Sequence, residues 1–421
     1  MSHGREASYG WTPLVVLLRL MLLTALAGGE VRAGDWPQIL GPNRNGIAVD
    51  EKLTDSLPKA GPQTVWSRPV GSGFSGVAVA KGVAVLFHRM GDDEVIEALD
   101  VATGQPRWKT SFPTTYAGGY SDDHGPRCVP VIHNGRVFVF GAAGNLHCVK
   151  LADGKEIWSR EANREFNTPD GYFGAGSTPI VESGKLIVNV GGKGSSGLVA
   201  FDLNDGHTIW KATDEQASYS SPIAVTVDGV RHVIFATRLN AVSIEPDTGA
   251  VRFRFPFGAR GPTVNAATPV IVGDHVFLTA SYGIGAVSAK IGKTDAKVEW
   301  TKHDVLSSQY TTPIVHSGNL YGIDGRADIP PAHLRCIDPK TGRVLWSKDD
   351  FGKATLILAD EKLVIVKTDG TLVLAKASPA AYGELGRAKI LATTSRALPA
   401  LANGLLFVRD TDKLKCVDLR W

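Results

Sequence analysis

The sequence predicts an all-β fold, an eight-bladed β-propeller of four-stranded antiparallel blades. Three recurring signals carry that expectation. The first is "IDPKTGRVLW", residues 337–346. It recurs as "LDVATGQPRW" ending at Trp108, "VKLADGKEIW" at Trp158, "FDLNDGHTIW" at Trp210, "IEPDTGAVRF" at Phe253 and "AKIGKTDAKVEW" at Trp300. Successive copies end 50, 52, 43, 47 and 46 residues apart, a period that fits propeller blades. The second signal is a polar residue and Pro opening an apolar run, as in "CVPVI", "STPIV", "SSPIAV", "ATPVIV" and "TTPIV". The third follows shortly after: a turn dipeptide and another apolar or alternating run, as in "NGRVFVF" and "SGKLIVNV".

Each unit therefore reads as strand, NG-type turn, strand, Gly-containing turn, strand, Asp-to-Gly turn and a last strand ending in Trp. The Asp accepts hydrogen bonds from backbone N–H groups two or three residues on, which shapes the turn. The Gly takes positive φ at low cost and lets the outer strand return with a bulge. Trp66, Trp108, Trp158, Trp210, Trp300, Trp346 and Trp421 are read as structural wedges between blades, each indole N–H seeking a carbonyl at the seam. Two degenerate units ending at Leu391 and Trp421 complete eight intervals from Trp66, averaging about 44 residues. The Trp66 strand is expected to pair near the last unit.

Composition narrows the function. Charged residues make up 21% and the net charge is +3, with no run of five Lys or Arg, so nucleic-acid binding has no electrostatic support. Residues 1–33 read as an export signal. The apolar run "LVVLLRLMLLTALA" is interrupted by Arg19, falls short of the ~20 residues a span needs, and is followed by a "VRA" cleavage pattern. The mature chain then has no transmembrane span, begins near Gly34, and sits in the periplasm or cell envelope or is secreted. Residues 34–62 form an N-terminal arm and 63–421 the propeller. Three of the four cysteines recur at one place, in "LHCVK", "LRCID" and "LKCVD", which suits a small buried hydrophobe better than a disulfide.

The tandem "alD.tG..lW" phrase resembles the PQQ-like β-propeller repeat family over roughly residues 63–421. "DWPQILGPNRNG" is similar to the W-P-Q-x-x-G-P-N-R-x-G opening of many exported members, and reads as a covering arm in which Trp36 and Ile39 pack on the propeller. The resemblance implies one of two classes. Quinoprotein alcohol dehydrogenases hold pyrroloquinoline quinone (PQQ) and calcium in the central funnel, and BamB-like propellers of the cell envelope are non-catalytic binding scaffolds. The first class carries an adjacent-Cys disulfide over the quinone, an Asp base and a Glu, Asn and Asp set on calcium. None of these is matched, and the nearest cysteines, Cys128 and Cys148, are twenty residues apart. No cofactor is expected, neither PQQ nor calcium, and no catalytic or metal residue is assigned.

Loops that share a phase in the repeat should converge at one mouth of the channel. "YSDDHGPRC" is the richest, offering Asp122, Asp123, His124 and Arg127. Its acid–base pair could hold a metal or move a proton. Tyr172, Arg260, Asn265, Gln309 and Tyr310 occupy the same phase in later units and are candidates for a shared pocket or partner surface. "DGRADIPPAH" is a long insertion whose Arg326, Asp328 and His333 could contact a partner. "GKGSSG" matches a dinucleotide fingerprint, but a strand follows where a helix is required, so it reads as a hairpin tip. The favoured expectation is a monomeric, non-catalytic scaffold that binds a protein or peptide partner in the envelope at one propeller face. The alternative is a small-molecule- or metal-binding propeller, a divergent quinoprotein-like oxidoreductase. The first predicts an exposed apolar or aromatic patch. The second predicts Asp122, Asp123 and His124 meeting polar groups of other blades in a concave pocket.

Overall fold

The computed structural model describes residues 1, 3–4 and 34–420, apart from Ser121, Asp170 and Ala327. Ser2 and residues 5–33 of the expected export signal, and Trp421, lie outside the described residues. Eight four-stranded sheets follow one another along the chain, each antiparallel and wound up and down. Blades 1 to 7 span residues 77–113, 131–161, 180–212, 223–256, 270–302, 314–348 and 354–389. Blade 8 takes three strands from 400–418 and its outermost strand, Thr64–Pro69, from before blade 1. That strand pairs antiparallel with Lys413–Asp418, setting Trp66 against Cys416. The ring is thus closed by both ends of the repeat region. Helix is confined, among the described residues, to the single turn Ala162–Glu165.

The repeat motif builds the seams between blades. In "IDPKTGRVLW", Asp338 accepts from the Lys340 N–H at 2.9 Å and from the Thr341 hydroxyl at 2.7 Å. A register shift then precedes Trp346, the bulge that the Gly turn was expected to introduce. The Trp does not end the outer strand: Arg343–Lys348 runs on past it. At six seams among the described residues the indole N–H donates to a carbonyl of the next blade's turn. Trp66 reaches Val101 at 2.8 Å, Trp108 reaches Leu151 at 2.8 Å, and Trp158 reaches Leu203 at 3.1 Å. Trp210, Trp300 and Trp346 reach Pro246, Pro339 and Ser378 at 3.2, 3.0 and 2.9 Å.

The turn glycine of the next blade lies under the same ring. A Cβ on Gly104 would stand 2.6 Å from Trp66, and one on Gly206 2.7 Å from Trp158. The Gly of one unit is therefore set by the Trp of the unit before it. The cysteines take a related place. Cys148, Cys336 and Cys416 sit directly across from Trp158, Trp346 and Trp66, where other blades place Ala98, Ala200 and Ser288. A small side chain leaves room for the indole on the same face. All four cysteines are buried and unbridged.

The polar-Pro motif serves the innermost strands. Their hydroxyls tie each blade to the next around the channel. Thr178 Oγ1 accepts from Val129 N, Ser221 Oγ accepts from Thr178 N, and Thr312 Oγ1 accepts from Thr268 N, at 2.9–3.0 Å. Short innermost strands cannot pair across the gap, so side chains satisfy these buried backbone groups.

The arm does more than cover. Trp36 exchanges backbone hydrogen bonds with Val79 of blade 1, and Pro37 O accepts from Ile132 N of blade 2. Ile39 and Leu40 pack with Val129 and Leu398. Arg44, 3% exposed, donates to Pro179 O at 2.8 Å and Thr178 O at 2.9 Å at the entry to blade 3, and to Gln38 Oε1 at 2.9 Å. Gly46 and Ala48 bond Leu358 of blade 7, and Glu51 accepts from Asn403 and Gly404 of blade 8. These partners belong to innermost strands or their turns, so the arm occupies the centre of the ring. Burial without a carboxylate partner lowers the Arg44 pKa to about 9.

Candidate functional site

The loops that lead into the innermost strands meet around the channel mouth. Arg127 is the hub. Its guanidinium lies 5.6, 5.8 and 6.0 Å from the ring centres of Phe74, Phe173 and Tyr116. It donates to Gly125 O at 2.8 Å and Asp123 O at 3.2 Å. Burial among these rings lowers its pKa. Arg396, from the loop before blade 8, stacks on Phe74 at 5.5 Å. Phe173 meets Tyr219, and Tyr219 N bonds Asn265 O, which extends the ring into later blades. On the other side, the Tyr310 hydroxyl is buried without a hydrogen-bond partner, and burial raises its pKa.

Asp122 is exposed, while Asp123 and His124 are half-buried. Asp123 ties two loops together, accepting from Gly73 N and Gly125 N, both at 2.9 Å. The His124 ring packs edge-on to Tyr116 and against Gly118. Carboxylate and imidazole are thus built into loop structure, and Asp122 stands apart from both.

The phase-matched loops form three groups rather than one pocket. Tyr172, Arg260 and Asn265 line a cleft of about 440 Å³ between the mouth loops of blades 2 to 4. Asn265 donates to Thr237 O at 2.8 Å, fastening two of those loops. Gln309 forms a second group: its Nε2 donates to the Tyr282 hydroxyl at 2.9 Å, and Arg326 of the insertion stacks on Tyr282 at 4.2 Å. Asp328 pairs with Arg326, and His333 Nδ1 lies 3.0 Å from Asp349. Arg326 and His333 thus tie the insertion to Tyr282 and Asp349 of neighbouring turns. The third group is the Arg127 cluster. Phe74, Tyr120, Phe173, Tyr219, Arg238 and Arg396 complete these groups and were missed by the sequence reading. "GSGFSG" and "SYSSP" share the repeat phase, which is the signal that could have found Phe74 and Tyr219.

Tyr120 is 75% exposed and stacks edge-on to Tyr172 at 5.1 Å and Phe173 at 6.4 Å. Metal-ligand types meet in one grouping among the described residues, Asp202, Asp205 and His207. It lies in the Asp turn of blade 3, where Asp202 and Asp205 accept turn N–H groups at 2.7 and 3.0 Å.

Glu94 lies beneath the mouth. It is 2% exposed, and its Oε1 accepts from Ala142 N of blade 2 at 2.8 Å. Burial pushes its pKa from 4.5 up to about 7, against the pull of that N–H and of Arg89 and Arg127. Between those values the folded chain keeps a proton that the unfolded chain has lost. Stability should therefore fall as pH rises through this window, by about 3 kcal/mol in order of magnitude. Urea titrations at pH 4.5 to 8 should show that slope, and Glu94→Gln should flatten it.

The comparisons with known proteins agree with this architecture. The family described as outer membrane protein assembly factor BamB matches residues 91–348. BamB of Burkholderia pseudomallei (strain K96243) is 25% identical over 334 residues, covering 78% of this chain and 69% of that protein. BamB of Escherichia coli (strain K12) is 23% identical over 329 residues, covering 72% of this chain and 76% of that protein. Among solved structures, BamB from Moraxella catarrhalis superposes with TM-score 0.62 at 14% identity, covering 85% of this chain and 99% of that one. Quinohemoprotein alcohol dehydrogenase from Comamonas testosteroni superposes with TM-score 0.68 at 15% identity, covering 92% and 80%. At these identities the structural likenesses speak for the propeller alone.

Proposed function

Because this chain belongs to the BamB family of PQQ-like propellers, we propose that it is an exported, non-catalytic scaffold that binds a protein or peptide partner in the cell envelope. The binding face is the channel mouth built by the interblade loops. One observation carries the reading: the exposed Tyr120 stands on Tyr172 and Phe173, beside Phe74 with its two stacked arginines. Tyr and Arg on a rigid base are the groups that dominate protein interfaces. The base here is rigid because the Asp123 carboxylate, the Arg127 guanidinium and the Asn265 amide nitrogen all bond loop backbone.

The chain's own residues also fit poorly with a quinone site. The centre of the ring is filled by Leu40 and Arg44, and the four cysteines lie in separate strands or approaches without a bonded pair. No chemical step is assigned. Among the described residues no helix is long and apolar enough to cross a membrane.

The test is capture from envelope extract of the source organism, with wild-type protein and the Tyr120→Ala/Arg396→Ala double variant. Both side chains are exposed, so the variant should fold normally. A partner retained by wild type and reduced at least ~10-fold by the variant, about 1.4 kcal/mol, is the expected result. A wild-type bait that retains nothing, or a partner held equally by both, would end this reading.

A further inference from the structure

The cleft between the mouth loops of blades 2 to 4 is continuous with the Tyr120 ledge, because Tyr172 both carries Tyr120 and lines the cleft. Its volume of about 440 Å³ lies in the range of ligand sites. The described lining combines two kinds of surface. One is apolar and reachable, since Pro169, Ala175 and Leu239 are exposed or half-buried. The other consists of polar groups with hydrogen-bonding capacity left over. Asn163 Oδ1, Thr168 Oγ1 and Asn265 Oδ1 are buried without a partner among the described residues.

Asn189 goes furthest. It lies in the strand Lys185–Gly192 of blade 3 and is 1% exposed, and neither atom of its side-chain amide has a partner among the described residues. The blade plan does not call for an amide there. Asn189 stands two residues after Ile187, which pairs with Ala200 opposite Trp210. At the same register blades 1, 2 and 6 place the buried apolar residues Phe87, Phe140 and Ile323. Where blades 5 and 8 place polar residues, these are bonded: Thr279 donates to Leu306 O at 2.7 Å, and Arg409 to Gly71 O at 2.7 Å. A buried amide with both atoms unpaired is costly in a folded protein, and a polar occupant of the cleft relieves that cost.

We propose that the cleft takes an extended peptide segment of the envelope partner, recognised through its backbone, with Asn189 pairing to one peptide unit. A primary amide offers one acceptor and one donor group, the complement of a peptide N–H and C=O. The Asn189 amide is nearly covered, so pairing requires a turn about χ2, a broad and soft torsion. Pro169, Ala175 and Leu239 then face side chains rather than backbone. A saccharide would set hydroxyls against these apolar groups, where they would find no partner. The inference deepens the scaffold reading and rests on it for the source of the segment.

The experiment is calorimetric titration of the purified chain with three probes. These are the capped peptide acetyl-Ser-Val-Thr-Val-Ser-amide, its fully N-methylated counterpart, and a neutral galacto-oligosaccharide. Saturable binding of the first is expected, at least ~10-fold tighter than of the other two. Asn189→Leu should weaken it at least ~10-fold. The same variant should keep or raise the urea midpoint, because it removes both unpaired atoms. No saturable peptide binding at millimolar concentration would overturn the proposal. So would an N-methylated peptide or a saccharide that binds as well, or a folded Asn189→Leu variant with wild-type affinity. Envelope capture separates this inference from the scaffold reading. A partner released by Tyr120→Ala/Arg396→Ala but held fully by Asn189→Leu would sink the cleft and leave the scaffold standing. A wild-type bait that retains nothing would end the scaffold reading, whereas the peptide titration succeeds or fails by itself.

Discussion

Trp66→Ala is expected to cost about 3–5 kcal/mol of folding stability, read as a shift of the urea midpoint. The side chain is 9% exposed, packs against Phe407 of its own blade and donates to Val101 O of blade 1. It sits on the single strand that closes the ring from outside the sequential blades. Trp108, Trp158, Trp210, Trp300 and Trp346 join blades that are already consecutive in the chain, so the loss of any one is partly compensated by short connections. Trp346, half-buried in the blade 6 seam, should cost clearly less. A double-mutant cycle checks the cause. Gly104→Ala forces a Cβ against the Trp66 ring and onto a backbone at φ +69°. In the Trp66→Ala background the steric part disappears and only the left-handed strain of roughly 1–2 kcal/mol remains. Strict additivity of the two substitutions would refute the idea that Gly and Trp of adjacent units form one contact.

Trp36→Ala should lose a similar amount, about 3–5 kcal/mol, although it lies outside the repeat. Its ring is 1% exposed and its own arm folds back on it, with Gly41 at φ +79° close enough that a Cβ would stand 2.9 Å away. Because the arm fills the channel, its release exposes apolar surface of several innermost strands at once. Limited proteolysis should then cut within 34–62 before it cuts the blades. A loss below about 1 kcal/mol, with the arm still protected, would show that the arm only drapes the surface.

The repeat was legible because each blade solves the same packing problem with the same residues. An Asp-shaped turn, a Gly under the neighbouring indole and a small residue across from the Trp must all recur at fixed spacing. Hence "IDPKTGRVLW" and its copies identified the blades, the seams and the place of Cys148, Cys336 and Cys416. Phase also indicated which loops share a face, since Arg127, Tyr172, Asn265 and Gln309 all lead toward innermost strands.

What phase could not supply is distance around the ring. Loops at one face lie on neighbouring blades or on distant ones, so Tyr172, Arg260 and Asn265 share a cleft while Gln309 joins Tyr282 and the insertion. Nor does a local pattern reveal that Arg44 will meet Thr178 and Pro179, more than 130 residues away. The sequence alone determined the period, the blade plan and the seam chemistry, because these depend on contacts at a repeated separation. Only the tertiary structure decided the channel filling, the aromatic mouth and the polar cleft. Those depend on contacts between unlike segments, and nothing in a repeating pattern encodes which unlike segments will meet.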